Sequence, residues 1–467
     1  MKTTLTLLAF VLALLGLAPG IPGASASGPE LTAADVGFTG TGGLVLHGTV
    51  LAPRGAGPAR PGVVLVTGSG AGVPRDHLRT EAVAFARRGL AVLIYDKRSA
   101  GYTRFRRSYS DLAGDVLGAV RALRARPGVD PAKVGVWGLS EGGWVAPLAA
   151  SRDRGVAFVV VVGGNAMTPL RQQVWNEESA LRRAGVRGSL LDRGKVGFAR
   201  FGADAGLFAE AGFDAPGVLA KVRQPLLGIW GTRDLQSPPH ENPPLFAAAL
   251  RRGGNTHYTF RYFAGADHAA HETPDGGTTR GAALAPGYAD LVAAWVRDVT
   301  SGRLPNGDLP APPPEDHPAR ATPPSAWWES ARAQAAAVAL FLTAFAGYPL
   351  AALVRRIRRR TVAPVSRWAR LVPVAGTAAV AGGFVYLVSL AAGSSPDPGP
   401  LLAGRPLVWL ALQGLAVAAV AAALAVAVAW VRAGTGVPRG ERVRLGLLLA
   451  ATAVFVPWGA YWGLLVP

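Results

Sequence analysis

The chain has 467 residues, 50% of them hydrophobic and only 16% charged, with a formal net charge of +19 from 48 Lys+Arg against 29 Asp+Glu. This excludes a disordered chain, which requires low hydrophobicity together with high charge. The absence of cysteine excludes disulfides, thiolate metal sites, iron–sulfur clusters and a cysteine nucleophile together. Only five of the basic residues are Lys, and the 60 Gly and 37 Pro point to a general compositional bias, so Arg content alone does not signal phosphate recognition. What the charge means depends on where it sits.

Residues 1–26 place Lys2 before an apolar run (5–18) and end in Ala24-Ser25-Ala26. This predicts a secretory signal peptide cleaved after Ala26, because the run falls short of the roughly 20 residues of a membrane span. From about 30 to 302, short apolar runs alternate with helical stretches. Residues 36–51 predict a hairpin around Gly40–Gly43; strands are expected at 62–67, 90–95, 134–138, 157–162, 226–230 and 258–263. Helices are expected at 77–88, 111–125 and 288–299. Such alternation predicts a parallel sheet covered on both faces. A helical insertion at about 167–220 interrupts it and is expected to form a lid over the carboxyl ends of the strands.

Residues 303–326 are proline-rich, with eight prolines between Arg303 and Ser325, and predict a semi-rigid extended linker. Four apolar stretches follow, at about 333–354, 371–393, 406–431 and 445–467, each long enough to cross a bilayer as a helix and free of ionisable residues. The segments between the first and second and between the third and fourth are rich in Arg, including Arg355, Arg356, Arg358, Arg359, Arg360, Arg439 and Arg442. The positive-inside rule puts both in the cytoplasm and the residues before the first span outside, where the signal peptide also sends them. Residues 327–467 hold 13 Arg against three acids. More than half of the charge excess therefore marks membrane orientation, and no nucleic-acid partner is expected.

The chemistry concentrates around Gly138-Leu139-Ser140-Glu141-Gly142, a G-x-S-x-G sequence with a predicted strand before it and a helix after it. That context is what a strained strand-to-helix turn exposing a serine nucleophile requires. A serine hydroxyl needs a base, and an acid to orient the base. His268 follows the strand at 258–263, with His271 its nearby competitor; Asp234 follows the strand at 226–230, and Asp267, adjoining the histidine, is less suited. The order Ser140, Asp234, His268 is that of α/β-hydrolases. Oxyanion donors are expected from the backbone N–H of Glu141 and, in the Gly-rich loop 67–72, from Ser69 or else Gly70. That loop lacks the nucleotide-binding glycine patterns, so neither cofactor nor metal is called for.

Through TGSGAGVPRDH (67–77), YDKRSAGYT (95–103), GLSEG, GTRD and GADH, residues 30–302 resemble an α/β-hydrolase of the esterase and serine-aminopeptidase-like branch. The resemblance implies an eight-stranded, mostly parallel sheet, a helical lid and acyl-enzyme chemistry in a catalytic domain spanning 27–302, joined through the linker to a membrane domain at 327–467. The reading that follows is a carboxylesterase held in the cell membrane with its active site outside the cytoplasm, acting on a small-molecule ester. Peptidase or amidase action on a peptide is the nearest alternative, since the same triad serves both. A non-catalytic binding protein on the same fold, and a transporter formed by the four spans, are the other classes. The lack of ionisable residues in the spans speaks against transport.

Overall fold

In a computed structural model, which describes residues 29–467 apart from 56, 104, 316, 360–365 and 393–395, the apolar runs become eight strands of one sheet. They are β1 (Leu31–Thr39), β2 (Val45–Pro53), β3 (Arg60–Val66), β4 (Ala91–Tyr95), β5 (Val129–Leu139), β6 (Val159–Val162), β7 (Leu226–Gly231) and β8 (Tyr258–Phe263). The order is β1-β2-β4-β3-β5-β6-β7-β8. β2 runs antiparallel to both β1 and β4, and the remaining pairs are parallel. This is the α/β-hydrolase fold. The expected signal peptide and Arg360 lie outside the described residues.

Period-two alternation divides each central strand between two cores. Val64, Val136 and Val161 face one side, where they meet α2 (Tyr109–Arg124), α3 (Gly142–Arg152), α6 (Ala215–Leu219) and α7 (Asn242–Arg252). Val63, Trp137 and Val160 face the other, against α1 (Arg79–Ala86) and α8 (Tyr288–Thr300). Each such fully buried aliphatic side chain contributes about 1.5–3 kcal/mol. The Trp137 indole, completely buried, donates to the Tyr288 hydroxyl at 3.0 Å.

The strand order reverses between β3 and β5, so the loops leaving their carboxyl ends diverge and open a crevice. Open α/β sheets hold their ligands at such a switch point. Both the G-x-S-x-G turn after β5 and the Gly-rich loop after β3 rise there.

The insertion is helical, with α4 (Pro169–Arg183), a π turn at Leu190–Lys195, and α5 (Val196–Asp204) before α6. The proline-rich segment is more than a spacer. Asp308 pairs with β8, accepting from Phe260 N–H at 2.8 Å and donating to Tyr258 O at 3.0 Å, which covers the exposed sheet edge. Further along, Ala319 N–H donates to Glu241, and the Arg320 guanidinium lies 2.6 Å from Glu178 of α4.

Four helical segments long and apolar enough to cross a membrane follow: Ala331–Ile357, Arg367–Ala391, Leu407–Gly436 and Arg439–Tyr461. The first comprises α9 (Ala331–Phe341), a π turn and α10 (Gly347–Ile357); the others are built on α11 (Leu371–Ala392), α12 (Leu407–Ala433) and α13 (Arg439–Tyr461). A short hairpin of β9 (Leu401–Leu402) and β10 (Arg405–Pro406) precedes α12. The insertion docks on this bundle. Leu181, Leu190 and Leu191 share an apolar core with Phe341, Trp409 and Phe455. Ser189 Oγ donates to Gly463 O at 2.8 Å and accepts from the Trp409 indole at 3.2 Å.

Candidate active site

Ser140 has φ of 57°, a left-handed conformation that a non-glycine residue adopts only under constraint. The constraint is close packing. A Cβ on Gly142 would lie 2.4 Å from Val66 O, so a larger residue there would push α3 off β3. Ser140 N–H donates to Val162 O at 3.0 Å, and Gly143 N–H closes the turn onto Ser140 O at 2.8 Å. The turn leaves Ser140 half-buried, lining the crevice.

Across the crevice, His268 Nδ1 lies 2.8 Å from Asp234 Oδ2. The second carboxylate oxygen of Asp234 accepts the N–H groups of Gln236 and Ser237 at 2.8 and 2.9 Å. Asp234 is thus held by its own loop with one oxygen aimed at the imidazole. Both side chains are buried. His268 Nε2 is buried without a hydrogen-bond partner among the described residues and therefore does not bond the Ser140 hydroxyl here. Both residues line the same cavity. Serine–histidine bonds are commonly long in unliganded sites and tighten when substrate is bound.

His271, the nearby competitor, is fully engaged elsewhere. Its Nε2 lies 2.9 Å from Glu81 and its Nδ1 lies 2.9 Å from Gly281 O. Burial works against the charged imidazole, but the hydrogen bond and attraction of Glu81 outweigh it and raise the pKa. Asp267 accepts from Ala269 and His271 N–H and pairs with Arg280, which makes it a clamp for its own loop.

The loop after β3 approaches closely: a Cβ on Gly68 would lie 3.2 Å from that of Ser140. The N–H groups of Glu141 and Ser69 make no hydrogen bond among the described residues, whereas Gly70 N–H donates to the Tyr102 hydroxyl at 3.2 Å. Of the three expected donors, the N–H groups of Glu141 and Ser69 are thus the two without a hydrogen bond among the described residues.

The Glu141 side chain, 1% exposed, sits in a cluster that the motif alone did not reveal. Lys97 Nζ bonds its carboxylate and also Gly68 O, while Arg107 lies 3.1 Å away. The Tyr102 hydroxyl contacts both carboxylate oxygens, at 3.0 and 2.9 Å. Tyr102 therefore joins the Gly-rich loop to the serine turn. Two cations around one carboxylate leave a local positive excess in the residue next to Ser140. The available signal was the acidic residue after the serine: a buried carboxylate demands counter-charges, and YDKRSAGYT carries both Lys97 and Tyr102.

Ser140 and His268 open onto a cavity of about 1010 Å³, at the upper end of the 300–1,000 Å³ typical of small-molecule sites.

Residues 76–280, less than half of the chain, match the prolyl oligopeptidase family. The polyketide transferase claH of Penicillium crustosum is 36% identical over 125 residues, which are 26% of this chain and 41% of that protein. The thiohydrolase aneE of Aspergillus aculeatus is 32% identical over 153 residues, 32% of this chain and 45% of that protein. The chain thus spans less than half the length of these curated relatives. A solved 2,6-dihydroxy-pseudo-oxynicotine hydrolase is 19% identical, with a TM-score of 0.41 over 59% of this chain and 71% of that one.

Proposed function

We propose that this chain is a membrane-anchored serine hydrolase, a carboxylesterase with its active site on the extracytoplasmic side. The observation that carries the proposal is the convergence of a left-handed Ser140 and His268 on one cavity, with His268 held by the buried Asp234 carboxylate. Ser140 Oγ attacks the ester carbonyl while His268 Nε2 takes its proton. Asp234 stabilises the resulting imidazolium, and the N–H groups of Glu141 and Ser69 receive the oxyanion. As the tetrahedral species collapses, the acyl C–O bond breaks and His268 passes the proton to the leaving alcohol. Water then attacks the acyl–serine bond with His268 again as base, releasing the acid and restoring Ser140.

The names of the partial relatives, a polyketide transferase and a thiohydrolase, fit acyl chemistry of this kind. The prolyl oligopeptidase match favours peptidase or amidase action as the second reading, because the same groups can protonate an amine. Treatment of the purified full chain with a fluorophosphonate is the test. The wild type becomes labelled at Ser140, and Ser140→Ala loses both labelling and ester turnover by at least a thousandfold. A folded wild type that resists labelling would refute the hydrolase assignment. Parallel assays with acyl esters and aminoacyl amides separate the two readings.

A further inference from the structure

The cavity that holds Ser140 does not end within the hydrolase fold. Its wall is completed by Phe384 and Val388 of α11 and by Phe198, Phe201 and Gly202 of α5. Phe384 and Val388 are four residues apart, and Phe198 lies three and four residues before Phe201 and Gly202, so each helix turns one face to the same space. The Phe384 ring meets Phe198 at 5.8 Å and Phe201 at 5.9 Å, edge to face. Phe384 and Val388 nevertheless remain open, 39% and 44% exposed.

Depth is the second observation. α11 has 22 residues, about 33 Å of helix, close to the roughly 30 Å of a bilayer's hydrocarbon. Phe384 lies eight residues before its end at Ala392, so the cavity wall descends roughly 12 Å along the span. That is acyl-chain depth. This shared wall is also a fixed part of the assembly, because α5 is fastened to the start of the bundle. Arg200 pairs with Glu329 at 2.7 Å, and Asp204 accepts from Ala331 N–H at 2.6 Å. Gln172 and Gln173 of α4 line the same cavity and give it a polar portion as well. A space polar near the nucleophile and apolar down a membrane helix matches an amphiphile better than a water-soluble peptide.

We infer that the substrate is a bilayer-resident acyl ester, whose chain enters between α5 and α11 and whose carbonyl reaches Ser140. This rests on the hydrolase reading of Ser140. The alcohol leaves with the proton carried by His268, and after hydrolysis of the acyl–serine bond the long-chain acid returns to the bilayer through the same gap.

The test compares ethyl and dodecyl fluorophosphonates on the full chain in phosphatidylcholine vesicles, with labelling of Ser140 followed by mass spectrometry. In this reaction the serine oxygen displaces fluoride from phosphorus and gives its proton to His268. The wild type is expected to react at least tenfold faster with the dodecyl probe. Val388→Trp fills the gap from the α11 side and should lower that ratio at least tenfold. Gly202→Leu is the second variant; the Cβ position at Gly202 has no heavy atom within 4 Å, so it narrows the cavity without disturbing α5. Taking ratios between variants cancels the partitioning of each probe into lipid. A wild type without chain-length preference, or folded variants that keep the wild-type ratio, overturns the inference and leaves the hydrolase reading intact. Absence of labelling by either probe in folded wild type overturns the hydrolase reading itself.

Discussion

Ser140 occupies a conformation that costs a non-glycine residue roughly 1–2 kcal/mol, at φ 57°. The strain is held by neighbours that cannot yield, above all the contact between Gly142 and Val66 O. Its expected signature is a difference between two inactive variants. Ser140→Ala keeps the left-handed cost, while Ser140→Gly relieves it, so chemical denaturation should find the glycine variant about 1 kcal/mol more stable despite its greater unfolded-state entropy. A glycine variant less stable than the alanine variant, as unfolded-state entropy alone would make it, would mean that the turn is not strained. The left-handed serine turn was legible because everything it needs lies within five residues and two flanking elements. For the oxyanion, the sequence points to the Glu141 N–H and leaves the second donor open between Ser69 and Gly70 on the Gly-rich loop. Gly70 N–H is occupied by the hydroxyl of Tyr102, brought in by the 95–103 segment, and no local pattern announces such a contact.

At the scale of elements, the loop after β8 supplies His268 and is itself secured to α1 through His271 and Glu81. The charged imidazole is favoured in the fold, so the pKa of His271 is raised. The stabilisation is therefore fully present below about pH 6.5, the unfolded value, and is lost as pH rises through the higher folded value. Arg280, facing the same ring, opposes the shift; Gly281 O and Glu81 support it. Thermal melting of the full chain in detergent should show stability falling from pH 6 toward pH 9, by an amount of order 1–2 kcal/mol. His271→Gln should flatten that slope; a slope unchanged by the substitution would assign it to other groups. The strands themselves were readable as apolar runs bounded by turn residues, but not the sheet order, in which β4 lies between β2 and β3. α7 was not anticipated: it starts Asn242-Pro243-Pro244, and paired prolines suggest a loop, although proline suits the first helical turn, where its missing N–H costs nothing. The contacts of the linker 303–326 were not legible for a similar reason. Its composition describes a free polyproline segment, but the pairing of Asp308 with β8 is set by a neighbour 50 residues away.

For the whole molecule, the decisive relation is between the insertion and the membrane bundle. Ser189 and Gly463 are 274 residues apart in sequence, and neither apolar pattern alone says that it faces the other. The same contacts assign ends to the spans. Ala331 and Trp462 lie beside the insertion, Ala331 N–H donating to Asp204 and the Trp462 ring meeting Phe201 of α5, and Arg187 N–H reaches Gly404 O in the turn between β9 and β10. At the other end, Glu441 gathers Arg355 and Arg444, and the Arg-rich segments collect there. If those segments are cytoplasmic, as the positive-inside rule requires, the cavity and the hairpin both lie outside, and an acyl ester would be drawn from the outer leaflet. The absence of native cysteine makes this directly measurable with single cysteines and a membrane-impermeant maleimide. Asp397→Cys, exposed beside the hairpin, should react in intact cells. Thr435→Cys, exposed between the third and fourth spans, should react only after permeabilisation, with at least a tenfold difference between the two conditions. The reverse pattern would turn the catalytic face toward the cytoplasm and reassign the accessible leaflet. It would leave the route between α5 and α11 unchanged, because that route depends on contacts within the chain and not on which side of the membrane they face.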